Sequence, residues 1–118
     1  MSTVKIIRFG VNPPNAESGQ PNNVIAGAPT TTTQNYFADP SGRFFSGVWE
    51  STPGKWAIDY SESEFVYLVS GQARLTDGDG HVETFGPGSA FLIPAGFKGS
   101  WETIGALRKY YAIFEPGR

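Results

Sequence analysis

Apolar and polar positions along this chain fall into short runs with a period of two, broken by glycine and proline, and nowhere show a sustained helical period. Phe65, Val66, Tyr67, Leu68 and Val69 form an aromatic and β-branched run, too short for a helix and bounded by Gly71, which predicts a strand covered on both faces or nearly so. Residues 72–76 then alternate through Ala73 and Leu75. Asp77-Gly78-Asp79-Gly80 supplies residues that tolerate positive φ, predicting a hairpin reversal into a strand over 81–85. Gly86-Pro87-Gly88 must turn, because Pro87 fixes φ and lacks an amide hydrogen. Ala90–Ile93 reads as the next strand, ended by Pro94-Ala95-Gly96.

The flanks extend the same pattern. Asp39-Pro40-Ser41-Gly42 is a turn, residues 43–50 a strand, and Thr52-Pro53-Gly54 a second turn. Residues 55–60 return with Trp56, Ile58 and Tyr60 on one face, and the same parity carried across residues 61–63 sets Glu64 on that face. Residues 98–102 start a late strand on which Trp101 shares the parity of Gly99, and residues 107–114 close the array. Short strands with glycine at their corners predict an all-β fold, a small antiparallel sandwich or barrel. Residues 4–9 are strand-like, whereas residues 10–34 are rich in Pro, Asn, Gly and Thr and read as an irregular arm. The expected organisation is therefore residues 1–40 as N-terminal strand and arm, and residues 41–118 as the barrel. An apolar strand at the amino terminus seeks a partner edge, in its own sheet or in a second copy; the latter would give a homodimer.

The segment Gly88-Ser-Ala-Phe-Leu-Ile-Pro94-Ala-Gly96 resembles the second motif of the cupin superfamily, and Glu64 followed by Gly71 fits half of the first. Within that superfamily, residues 53–80 together with 85–102 are similar to the single-cupin domains grouped with (S)-ureidoglycine aminohydrolase and the ethanolamine-utilisation cupins. The resemblance covers about residues 45–115 and implies a double-stranded β-helix, the jelly-roll cupin barrel. It also implies a metal held by three histidines and a glutamate. This chain departs there: Ile58 and Tyr60 stand where the paired histidines are expected and Gly99 where the second-motif histidine is, leaving Glu64 alone.

Chemistry narrows accordingly. A transition-metal site needs about three or four ligands from His, Cys, Asp and Glu, yet the chain has one histidine, His81 beyond the acidic turn, and no cysteine. No metal and no other cofactor is expected. The formal net charge of -2 offers no basic field for nucleic acid or an anionic membrane, and no apolar run approaches membrane-spanning length. With no signal-peptide core and no cysteine, the cytoplasm is the expected compartment. The acidic residues Glu50, Asp59, Glu62 and Glu64 have no spacing that fixes a catalytic pair.

A candidate ligand pocket follows from the shared parity: Tyr60, Glu64 and Trp101, with Trp56 and Lys98 near the mouth. Aromatic walls suit a small flat or short-chain ligand, and Glu64 and the Tyr60 hydroxyl offer polar anchors. Buried without a cation, Glu64 would be pushed toward its protonated form and could carry a proton. In the opposing case Tyr60 donates to Glu64, Trp101 fills the space of a metal, and the lumen is packed. No catalytic residue is assigned. Three functions are compatible with these features: a metal-poor cupin that binds a small polar metabolite, an enzyme similar to ureidoglycine aminohydrolase, and a structural module that recruits another polypeptide.

Overall fold

The computed structural model of the protein describes residues 4–116, which form nine strands and no helix. In chain order these are β1 (Glu17–Gly19), β2 (Val24–Ala26), β3 (Thr31–Ala38), β4 (Phe44–Ser51), β5 (Gly54–Asp59), β6 (Ser63–Asp77), β7 (Val82–Phe85), β8 (Ala90–Ile93) and β9 (Lys98–Phe114). All recorded pairings are antiparallel, and the path β1-β3-β4-β9-β5-β2 is joined through β9 to β6, which also carries β7 and β8. Among the described residues no helix is long and apolar enough to cross a membrane.

Two long strands hold the architecture. The first part of β9 lies between β5 and the far end of β6, with Trp101 opposite both Trp56 and Leu75. The second part lies between β4 and the near end of β6, with Lys109 opposite both Trp49 and Leu68. Such double pairing satisfies the backbone of β9 on both edges, as a strand buried in a sheet requires. It also curls the sheet, since β9 serves β5 and then β4 along one edge and the two ends of β6 along the other.

Gly71 lets β6 do this. Composition predicts that it bounds a strand, but β6 runs straight through it with φ +81°. A Cβ at Gly71 would collide with the Ala106 carbonyl and the Leu107 Cα, so only glycine fits the close crossing. Register shifts flank it, between Leu68 and Ser70 and between Ser70 and Gln72. The inward parity therefore changes from Glu64, Val66 and Leu68 to Ala73 and Leu75, all buried. The expectation that the run at 65–69 is covered on both faces is corrected here: Val66 and Leu68 are fully buried, but Phe65 is 46% and Tyr67 40% exposed.

The remaining turns follow the predicted chemistry. Asp77 Oδ1 accepts from the amides of Asp79 and His81, folding the acidic hairpin, and His81 stands outside it, highly exposed. Ser89 N donates to the Gly86 carbonyl across the Gly-Pro-Gly turn, and Phe97 N to the Pro94 carbonyl. The core is built from Trp56, Val66, Leu68, Ala73, Leu75, Ile93, Trp101 and Leu107, the inner face of the curled sheet.

The amino-terminal region differs from its expected form. Residues 4–9 are not a strand of the sheet; instead the Phe9 ring packs 4.8 Å from Tyr36 and 5.3 Å from Tyr110. The segment predicted as an irregular arm contains β1, β2 and the first half of β3. Thr31, Thr32 and Thr33 explain the change: β-branched residues suit a pleated edge, and β4 offers them a complete antiparallel partner through Ser51, Glu50 and Trp49. Tertiary pairing supplies what local composition lacked.

Candidate functional site

The inner face of the sheet closes around a cavity of about 480 Å³. Its lining follows the period-two rule across five strands: Thr31, Thr33 and Asn35 from β3, Phe45 and Trp49 from β4, Trp56 and Ile58 from β5, Glu64 from β6, and Trp101, Lys109, Tyr111 and Ile113 from β9. Tyr60 and Glu62 line it from the β5–β6 connection, continuing the parity of Trp56 and Ile58, and Pro21 adds to the wall.

Three indoles form one side. Trp49 and Trp101 meet edge-on with ring centroids 5.6 Å apart, and Trp56 stacks on Trp101 at 6.4 Å. The Trp101 indole donates to Thr103 Oγ1 at 2.9 Å, whose hydroxyl donates to Ser51 Oγ, which in turn donates to the Thr52 carbonyl. This buried relay satisfies the indole N–H and fixes the ring, as a fully buried tryptophan needs.

The charged centre is a pair. Lys109 Nζ lies 2.7 Å from Glu64 Oε2, with both side chains about 5% exposed. The same ammonium sits 4.3 Å from the Trp49 ring centroid and 4.5 Å from that of Trp101. One proton thus meets a carboxylate oxygen while two aromatic faces take the rest of the charge, which offsets much of the cost of burying a lysine. The Tyr60 hydroxyl lies near enough to the Glu64 carboxylate to be shifted by it. No buried side-chain nitrogen or oxygen lacks a partner among the described residues.

Burial, and then the nearby Glu64 carboxylate, push the Tyr60 hydroxyl well above the ordinary tyrosine range. Tyr111 is pushed up to about 12, first by burial and second by the same carboxylate, and donates to Asn35 Oδ1 at 2.6 Å. Both phenols are hydrogen-bond donors at neutral pH, not bases.

Of the residues predicted from sequence, Trp56, Tyr60, Glu64 and Trp101 line one cavity. Lys98 does not: it begins β9, its side chain is 75% exposed, and its ammonium stands 3.9 Å from Asp59. Trp56 is a core residue, 7% exposed, not a residue of the mouth. The premise that Glu64 is buried without a cation is also corrected, because the chain supplies its own in Lys109. Sequence reasoning missed Lys109, Trp49, Tyr111 and Asn35. The signal for the first and third was present: odd positions counted on from Trp101 along β9 reach Lys109 and Tyr111.

The donor set does not fit the metal implied by the resemblance. Ile58 and Tyr60 line the cavity with no imidazole, and a Cβ at Gly99 would collide with the Thr76 carbonyl, so a histidine there has no room on this backbone. Among the described residues no three His, Cys, Asp or Glu side chains are grouped to hold a metal ion.

Comparison with known proteins agrees with the fold. Residues 38–111 match the family model described as EutQ-like cupin domain, leaving Pro21, Thr31, Thr33, Asn35 and Ile113 of the cavity wall outside the matched span. A crystal structure from Pseudomonas syringae pv. tomato, a DUF861-family protein of unknown function, superposes with TM-score 0.73 at 26% identity, covering 86% of this chain and 43% of that one. The chain thus spans less than half the length of that protein. The EutQ protein of Clostridium difficile superposes with TM-score 0.66 at 20% identity, over 74% of this chain and 69% of its own. A putative ethanolamine utilization protein Q from Salmonella typhimurium gives 0.65 at 14%, over 74% and 71%. These last two show the shared fold. No curated protein matches the chain.

Proposed function

The chain belongs to the EutQ-like cupin domain family, and on that premise we propose that it is a binding protein whose cup takes a small polar metabolite without a metal. The observation that carries this reading is the Glu64–Lys109 pair at 2.7 Å inside an aromatic-lined cavity of about 480 Å³. In Glu64 the family pattern keeps one metal-binding carboxylate, and here that carboxylate is committed to an internal ammonium. A cavity of this volume with apolar walls and a few fixed polar groups has the character of a small-molecule site. Its polar groups are held in place before any ligand arrives, so little ordering is needed on binding.

The test is a scan of small polar metabolites for thermal stabilisation of the full chain, with and without a chelator. A ligand at one hundred times its dissociation constant should stabilise by about 2.7 kcal/mol, and the effect should survive chelation. Stoichiometric manganese lost together with a deamination or hydrolysis activity would overturn the proposal in favour of an aminohydrolase-like enzyme. No stabilisation by any metabolite would move the chain to the protein-interaction reading.

A further inference from the structure

The charges of the cup can be taken in turn. Glu64 and Lys109 cancel: they touch at 2.7 Å, and the lysine charge is further covered by Trp49 and Trp101. One more ionisable carboxylate lines the same cavity, Glu62, on the partly exposed connection between β5 and β6. Among the described residues it has no ion-pair partner, unlike Glu50, Glu64 and Glu102, each of which has an arginine or lysine nitrogen within 4 Å. The lining therefore carries one uncompensated negative charge beside Tyr60. The half-buried rings of Phe45, Trp49 and Tyr60 line the same cavity.

From this we infer that the cup selects a small organic cation, a primary or quaternary ammonium compound, with Glu62 as its counter-charge and the aromatic lining as its walls. The inference rests on the binding role proposed above. An ammonium is attracted to aromatic faces by the ring quadrupole, as the chain's own Lys109 already shows within the same cavity. An anion would meet Glu62 with no free cation to receive it, since Lys109 is engaged by Glu64. A neutral ligand would gain the walls but nothing from the carboxylate. The pocket thus discriminates by charge at its rim and by shape within.

The three tryptophans at the cavity provide the readout. The full chain is titrated with choline and with 3,3-dimethylbutan-1-ol, in which a neutral tert-butyl group replaces the trimethylammonium, and binding is followed by tryptophan fluorescence; acetate is a third arm. Choline should bind saturably and roughly tenfold or more tighter than the neutral isostere, the size of a cation–aromatic and ionic contribution. Glu62→Gln, a partly exposed substitution that should leave the fold intact, should weaken choline binding several-fold, leave the neutral isostere unaffected, and so narrow the gap to the aromatic part of the preference. Equal binding of choline and the isostere by the unaltered chain would overturn the cation inference while leaving metabolite binding standing. Preference for acetate, or an unchanged choline preference in Glu62→Gln, would overturn it as well. Absence of any saturable change with choline would also overturn it, and the independent metabolite scan then decides whether the binding role falls too.

Discussion

Lys109 of β9 and Glu64 of β6 meet through their side-chain ends, 2.7 Å apart and almost wholly buried, as an ion pair in an otherwise aromatic cup, although the ladder sets Lys109 opposite Leu68 and Glu64 opposite Ile113. Removing one partner leaves an uncompensated buried charge, which costs about 3–5 kcal/mol, whereas removing both is often near neutral. Lys109→Met and Glu64→Gln should therefore each lower the stability of the chain by that amount, and the double variant should recover most of it. Urea unfolding of the four proteins forms a double-mutant cycle that measures the coupling. Two additive losses would show that the pair is not the unit described here.

Alkaline pH should unfold the protein through its buried phenols. In the folded chain Tyr60 is raised above its ordinary value, and Tyr111 is pushed up to about 12. Between the unfolded value near 10 and these raised values the unfolded chain has lost protons that the folded chain keeps. Stability from both groups is thus fully present below about pH 10 and falls as pH rises beyond it. Urea midpoints measured from pH 8 to 11 should be level at first and then decline. Tyr60→Phe should lessen the decline, and an equal slope in that variant would show that another group governs it.

The shape of this molecule was legible from its sequence to the extent that local chemistry decides it. The acidic hairpin at 77–80, the Gly-Pro-Gly turn and the β5 face bearing Trp56 and Ile58 all depend on neighbouring residues, and all occur as read. Gly71 and residues 31–33 were misjudged because their conformation is set by remote partners, the Ala106 carbonyl in one case and β4 in the other. Glu64 was identified correctly as an inward carboxylate. Its companion was not, because Lys109 lies forty-five positions away (109 − 64) and the two long side chains meet only once β6 and β9 are paired in the curled sheet. Charge burial is likewise a property of the closed cup, invisible in a lysine flanked by Arg108 and Tyr110.

Restoring the histidines of the cupin pattern should not restore a metal site. Ile58→His and Tyr60→His place imidazoles at the cavity, but Gly99→His needs a Cβ where the Thr76 carbonyl and Asp77 Cα already stand. Backbone would have to shift, and steric insertions of this kind cost about 1–3 kcal/mol. Even Gly99→Ala should lower the melting temperature measurably. The triple-histidine variant should be less stable still and bind manganese no better than the unaltered chain by calorimetric titration. Tight binding at one ion per chain in that variant would show that β6 yields to the new side chain.

The outer face of the sheet makes the last prediction, that two copies associate. Leu92 is directly opposite Phe65 across β8 and β6, and both are exposed, at 60% and 46%, with Tyr67 beside them at 40%. Tyr67 stacks on Tyr110, on which Phe9 rests, so this apolar band runs on to the amino-terminal segment. There Ile6 is 99% exposed. A contiguous apolar band of this kind is costly in water and is characteristic of a contact surface. We propose that a second copy covers it by a twofold arrangement in which each segment meets the other's sheet. Light scattering should then give twice the mass of the chain, and Ile6→Glu combined with Phe65→Glu should give the single-chain mass, with the β signal in circular dichroism retained. A single-chain mass for the unaltered protein at high concentration would leave the band without this partner and remove the proposal.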